Sequence, residues 1–121
     1  MGKRILIVDD EPNIVTSLEY LMKREGYEVQ IAVDGEAGLK AAAGGAPDLI
    51  LLDIMLPKMN GFEVCERLRG DPRCRGVKIV MLTAKGRHAD TARGMAAGAD
   101  LYVTKPFSTR ELVAQVKQML G

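Results

Sequence analysis

The run Leu49-Ile50-Leu51-Leu52-Asp53 decides the fold. Four consecutive aliphatic residues without polar alternation describe a strand covered on both faces, the environment of a parallel sheet flanked by helices. Ile5-Leu6-Ile7-Val8 and Val77-Lys78-Ile79-Val80-Met81-Leu82 share that character, and residues 27–33 and 101–103 are weaker strand candidates. Between the first strands, Ile14, Leu18, Leu21 and Met22 recur at helical spacing behind Pro12, which suits a first turn, with Gly26 in a C-cap role. Leu112, Val113, Val116, Met119 and Leu120 form a similar stripe, opened by Ser108 and Glu111 in capping-box spacing. Residues 36–43 and 88–97 are alanine-rich and predict helices with few large apolar anchors. Gly44-Gly45-Ala46-Pro47 reads as a helix stop and turn, since the lysine of a phosphate-binding P-loop is missing. Five strands alternating with five helices predict an α/β fold, a doubly wound parallel sheet with right-handed crossovers.

At 121 residues the chain fits one domain, residues 1–121. It is 47% hydrophobic and 27% charged, the balance of a globule with its own core. Seventeen basic residues against 16 acids leave a net charge of +1, so no global field draws nucleic acid or an anionic membrane, and neither is expected as a direct partner. No stretch reaches the roughly 20 apolar residues that span a bilayer, and no leader-like segment opens the chain, so a cytoplasmic location is expected. Cys65 and Cys74 are expected as unpaired thiols. Arg67, Arg69, Arg73 and Arg75 read as a solvated face, and His88 as a loop or helix-start residue. Met55, Met59, Met81 and Met95 read as core or gap-filling residues, Met55 also being placed to shield its neighbour Asp53.

In open parallel sheets ligands bind beyond the carboxyl ends of the strands. There the sequence puts Asp9-Asp10, Asp53, Thr83 and Lys105. Taken singly, Asp10 or Glu11 would cap the first helix, Asp53 begin a turn, Thr83 end a strand and Lys105 carry a surface charge. Taken together they describe a site. Carboxylates gathered within ~5 Å repel by roughly 3 kcal/mol per pair at an effective dielectric near 20, so the group calls for a cation. An all-oxygen set suits Mg²⁺, and the zinc donors are missing. Asp53 can then attack phosphorus as a carboxylate nucleophile, with Lys105 supplying fixed positive charge and Thr83 a hydroxyl donor whose movement reports the new phosphoryl group.

Val8-Asp9-Asp10-Glu11, Leu52-Asp53 with Pro57 and Gly61, Met81-Leu82-Thr83-Ala84 and Lys105-Pro106-Phe107 resemble, in order and spacing, the motifs of response-regulator receiver domains, and the similarity covers essentially the whole chain. The resemblance implies the flavodoxin-like strand order 2-1-3-4-5 in three layers. It also implies a phosphoacceptor switch of a two-component or phosphorelay pathway, loaded on Asp53 by a histidine kinase or histidine phosphotransfer protein. By that resemblance Asp10, Asp53 and the Met55 backbone carbonyl ligate Mg²⁺, Asp9 holds a metal-bound water, the Lys105-Pro106 bond is cis, and Tyr102 is an aromatic switch that turns inward when Thr83 moves. No turnover of an independent substrate is implied.

A stand-alone receiver signalling by protein contact is the preferred reading. The alternative is the receiver of a DNA-binding transcriptional regulator. Such relatives pair an aspartate with an arginine across a dimer face, and those positions here read Leu101 and Gln115. Arg93, Asp100, Arg110, Glu111 and Lys117 remain, which leaves open a phosphorylation-dependent homodimer around Leu101. A phosphatase forming an aspartyl-phosphate would need Asp-x-Asp on the first strand, where Asp9 and Asp10 are adjacent. A flavin protein would need a hydroxyl-rich loop there. Residues 13–18 and Pro106-Phe107 border the site as the expected kinase-docking edge, and Lys85 with Met55 flanks the path of attack on Asp53.

Overall fold

The computed structural model describes residues 2–84, 93 and 95–121. Lys85, His88 and much of the helix expected over 88–97 lie outside the described residues. The elements are β1 (Arg4–Val8), α1 (Pro12–Arg24), β2 (Glu28–Ala32), α2 (Gly35–Gly45), β3 (Leu49–Asp53), α3 (Gly61–Gly70) and β4 (Lys78–Ala84). Helical residues 93 and 95–97, here called α4, β5 (Leu101–Lys105) and α5 (Thr109–Leu120) follow. The strands form one sheet in the order β2-β1-β3-β4-β5, with every pairing parallel, as the resemblance implies.

β3 lies at the centre of that order and is buried along its whole length, which is why residues 49–52 are unbroken by polar side chains before Asp53. Alternate residues feed two cores. Leu6, Val8, Ile50, Leu52, Ile79 and Met81 pack with Phe62, Val64, Cys65 and Leu68 of α3 on one face. Ile5, Ile7, Leu49, Leu51, Val80 and Leu82 pack with Leu18 and Met22 of α1 and with Leu112 and Val116 of α5 on the other. Both cysteines are buried and unpaired. Among the described residues no helix is long and apolar enough to cross a membrane.

Several boundaries follow from caps. α1 begins at Pro12, and Glu11 at its N-cap position makes no side-chain capping hydrogen bond. It ends as expected near Gly26, whose φ of 91° lets the N–H groups of Gly26 and Tyr27 reach the carbonyls of Lys23 and Met22. α2 runs two residues past the expected end, through Gly44 and Gly45, and stops at Ala46 in the left-handed region. Pro47 disfavours helical backbone at the residue before it, which places the stop at Ala46 rather than at the glycines. Asn60 and Ser108 cap α3 and α5 by accepting from the N–H groups of Glu63 and Glu111.

The basic stretch is only partly a solvated face. The Arg69 guanidinium donates to the carbonyls of Gly98, Arg75 and Val77 and pairs with Asp100 at 2.7 Å, tying α3 to the turn before β5. The methionines also divide: Met81 is fully buried and Met59 packs on the core, whereas Met55 and Met95 are 62% and 48% exposed and fill no gap.

Candidate functional site

Because all five strands are parallel, their carboxyl ends share one edge, and the chain's unusual polar residues gather there. Asp9 directly follows β1 and continues its pairing, its N–H donating to the Ala32 carbonyl at 3.1 Å. Asp53 is the last residue of β3, Thr83 the penultimate residue of β4 and Lys105 the last of β5. Asp53 and Thr83 lie within their strands and Asp9 extends the pairing of β1, and these three are the buried polar residues among those described.

The carboxylates of Asp9, Asp10 and Asp53 each offer an oxygen within 4.8 Å of the others. Asp9 is wholly buried, Asp53 is 4% exposed, and Asp10 faces solvent. Lys105 lies among them, with Nζ 3.1 Å from Asp9 Oδ2, 3.5 Å from Asp53 Oδ1 and 3.5 Å from Glu11 Oε1. The lysine expected to serve Asp53 therefore sits closest to Asp9. The pairing of Glu11 with Lys105 across 94 positions is a contact that local sequence cannot announce. Asp9 is held further by the Glu11 N–H, which donates to Oδ1 at 2.9 Å.

Burial, and then the charge of Asp9, push the Asp53 carboxyl up to about 6, against the opposing pull of Lys105 and of the Met55 N–H that donates to it. Burial alone would lower Lys105, but the charges of Asp53 and Asp9 outweigh it and leave its pKa raised. The ammonium is thus secured as a cation. Among the described residues one ammonium faces this many carboxylates, which leaves the edge short of positive charge, and the donors are all oxygen. That chemistry fits a hard divalent cation such as Mg²⁺ and offers nothing to a soft metal.

Thr83 is buried at the same edge, opposite Thr104 in the strand register. Tyr102 lies three residues before Lys105, beside Met81, and packs half-buried against the core on the α3 face. The Lys105-Pro106 peptide bond is cis, as the resemblance implies. Met55 enters the site through its backbone, while its exposed side chain lines a 390 Å³ cavity with Ile54, Leu56, Asn60, Phe62 and Arg93. Within the expected docking edge, Leu18 is fully buried and is removed from it, whereas Asn13, Thr16, Ser17 and Pro106 are exposed.

The family model described as "Response regulator receiver domain" matches residues 5–117. The chain belongs to the response regulator receiver domain family. Its members are phosphoacceptors of two-component systems that bind Mg²⁺ at the acidic site. Among curated relatives of this receiver, the alkaline phosphatase synthesis transcriptional regulatory protein PhoP of Bacillus subtilis is 52% identical over 120 residues, covering 99% of the chain and 49% of that protein. The DNA-binding response regulator MtrA of Mycolicibacterium smegmatis is 48% identical over 99% of the chain and 51% of its own length. The chain therefore spans about half the length of the curated relatives it matches.

Among solved structures, a response regulator from Chloroflexus aurantiacus has a TM-score of 0.95 at 38% identity, covering 99% of this receiver and 98% of that chain. The receiver domain of the sensor histidine kinase PA1611 from Pseudomonas aeruginosa has a TM-score of 0.92 at 31% identity, covering 100% and 99%, and carries a magnesium ion coordinated in its active-site cleft. The relatives' names also correct the exclusion of nucleic acid drawn from net charge. A charge of +1 describes these 121 residues and not the rest of proteins twice as long.

Proposed function

We propose that the chain is the phosphoacceptor portion of a DNA-binding transcriptional regulator, loaded on Asp53 by a histidine kinase or histidine phosphotransfer protein. The observation that carries the phosphoacceptor role is the setting of Asp53: a buried carboxylate beside Asp9 and Asp10, with Lys105 at 3.5 Å. The transcriptional output is supported by the relatives, named as regulators and about twice the chain's length, and this favours the alternative over the stand-alone reading.

Asp10, Asp53 and the Met55 carbonyl would hold Mg²⁺, with Asp9 engaging a bound water. When bound, the ion offsets negative charge gathering on the transferred phosphoryl group. An Asp53 oxygen forms the new bond to phosphorus as the bond from phosphorus to the donor histidine nitrogen breaks. Lys105, kept protonated by its acidic neighbours, pairs with the incoming oxygens. Thr83 donates its hydroxyl to one of them, and Tyr102 moves into the space that Thr83 leaves, passing the change to the outer strand.

The stand-alone reading retains one specific support. Of the charges left for an ion-pair dimer, Asp100 is engaged by Arg69 and by the Ile79 N–H, and Lys117 pairs with Glu25 at 2.6 Å within the same chain. Leu101 is half-buried and packs on the core, so it offers only part of its surface to a partner.

Intact-mass measurement after incubation with acetyl phosphate tests the phosphoacceptor role. The expected result is one added phosphoryl group that requires Mg²⁺ and is absent from Asp53→Asn. An adduct that persists in Asp53→Asn, or none in folded wild-type protein without rapid phosphate release, would overturn it.

A further inference from the structure

The loop between β3 and α3 holds a backbone conformation that L residues rarely adopt. Lys58 has a φ of 70°, and the Met59 N–H donates to the Pro57 carbonyl 2.8 Å away. That combination is a γ-turn with positive φ at its centre, the uncommon and strained form, occupied by a long side chain where glycine would fit without strain. Strain of this kind persists only where surrounding contacts hold it.

Those contacts come from the start of α2. Lys58 Nζ lies 3.6 Å from Asp34 Oδ2 and 4.0 Å from Glu36 Oε2. Asp34 is itself fixed, because its other oxygen caps α2 by accepting the Ala37 N–H at 2.8 Å. Next to it Gly35 meets the turn so closely that an added Cβ would lie 2.9 Å from Met59 Cβ. The loop's ends are fastened too: the Gly61 N–H donates to the Ile54 carbonyl at 2.9 Å, and the Met55 N–H donates to the Asp53 carboxylate. Gly61 must be glycine for that closure, since a Cβ would stand 2.5 Å from the Asp53 carbonyl oxygen.

We propose that Lys58 is a positioning residue, which with Asp34 holds this loop in its strained turn so that the Met55 backbone stays against Asp53, and thereby sets how tightly the carboxylate cluster takes Mg²⁺. The inference rests on the reading of that cluster as a Mg²⁺ site. Without the ammonium the turn loses its tie to the start of α2, and the remaining contacts hold the Met55 peptide less firmly against the carboxylates. Lys58 is largely solvent-exposed, so the effect is modest and falls on metal affinity rather than on the transfer step.

The test is Mg²⁺ titration by calorimetry, with no phosphodonor, of wild type, Lys58→Gln, Lys58→Arg, Asp34→Asn and the Lys58→Gln/Asp34→Asn double variant. Asparagine keeps the capping oxygen while losing the charge. Each neutralising variant is expected to bind Mg²⁺ about two- to five-fold more weakly. The double variant should bind no more weakly than either single one, and Lys58→Arg should recover most of the loss. Phosphorylation by acetyl phosphate at saturating Mg²⁺ should stay near wild type, with unchanged unfolding temperatures. Unaltered Mg²⁺ affinity in the variants, or losses that add in the double variant, would overturn the proposal while leaving the Mg²⁺ site in place. A wild type that takes no Mg²⁺ would remove both.

Discussion

The two edges of the sheet handle charge in opposite ways. At the edge where the strands begin, the charged side chains of Arg4 and Asp48 are answered by backbone hydrogen bonds. The Arg4 N–H donates to Asp48 Oδ2 and the Asp48 N–H returns to the Arg4 carbonyl, both at 2.8 Å, while the Arg4 guanidinium takes the Gly45 carbonyl. Arg69 does the same for the turn before β5, answering three carbonyls and Asp100. At the edge where the strands end, Asp9, Asp10, Asp53 and Glu11 face Lys105 alone among the described residues, and the loop beside them is strained at Lys58. The first edge is finished by folding; the second is left for a ligand to finish. Proteins keep such local instability where it serves function, and the stability of the rest of the fold offsets it.

The largest effect should come from removing the Lys105 ammonium from the carboxylate edge. Lys105→Met is expected to slow phosphorylation by acetyl phosphate about 100-fold, the cost of losing one preorganised charge at a transferring group, as read by intact mass against time. A rate within threefold of wild type would mean that the metal alone balances the charge.

Next in size is the opposite edge. Arg69→Ala should cost about 2 kcal/mol in urea unfolding, because it removes the ion pair to Asp100 and the hydrogen bonds to three carbonyls at a half-buried junction, yet leave the phosphorylation rate within twofold. A catalytic defect larger than the loss of stability would break the division between the edges.

A smaller effect follows from Asp53 itself. Its folded pKa near 6 lies above the roughly 3.9 of an unfolded aspartate, so between those values the native state binds more protons and stability falls as pH rises. In metal-free buffer Asp53→Asn should therefore be more stable than wild type at pH 7.5, by on the order of 1 to 2 kcal/mol, with the gap closing toward pH 4.5. A gap independent of pH would remove titration as its cause.

How legible these edges are in the sequence depends on how local their causes are. β1, β3 and β4 are plain because burial on both faces leaves unbroken aliphatic runs, whereas β2 and β5 flank the sheet, are half-exposed and leave weaker patterns. Asp9, Asp10, Asp53, Thr83 and Lys105 could be found because a parallel sheet gathers strand ends by geometry, whatever their separation in sequence. Glu11, Arg69 and Lys58 could not. The partners of Glu11 and Arg69 lie 94 and 31 residues away, and the γ-turn at Lys58 has no compositional signature when lysine stands where glycine would signal it. α2 stops within the Gly44-Gly45-Ala46-Pro47 turn as its sequence suggests, but two residues later than the alanine-rich pattern implies, because the backbone bias imposed by Pro47 falls on Ala46.

The most direct test of an electrostatically incomplete edge is the titration of the Asp53 carboxyl carbon by ¹³C NMR, with and without Mg²⁺. The predicted result is a midpoint near 6 in metal-free protein that falls below the ordinary aspartate range of about 4 when Mg²⁺ is added. A midpoint near 4 that Mg²⁺ does not move would show a carboxylate already satisfied by folding, and would contradict the account.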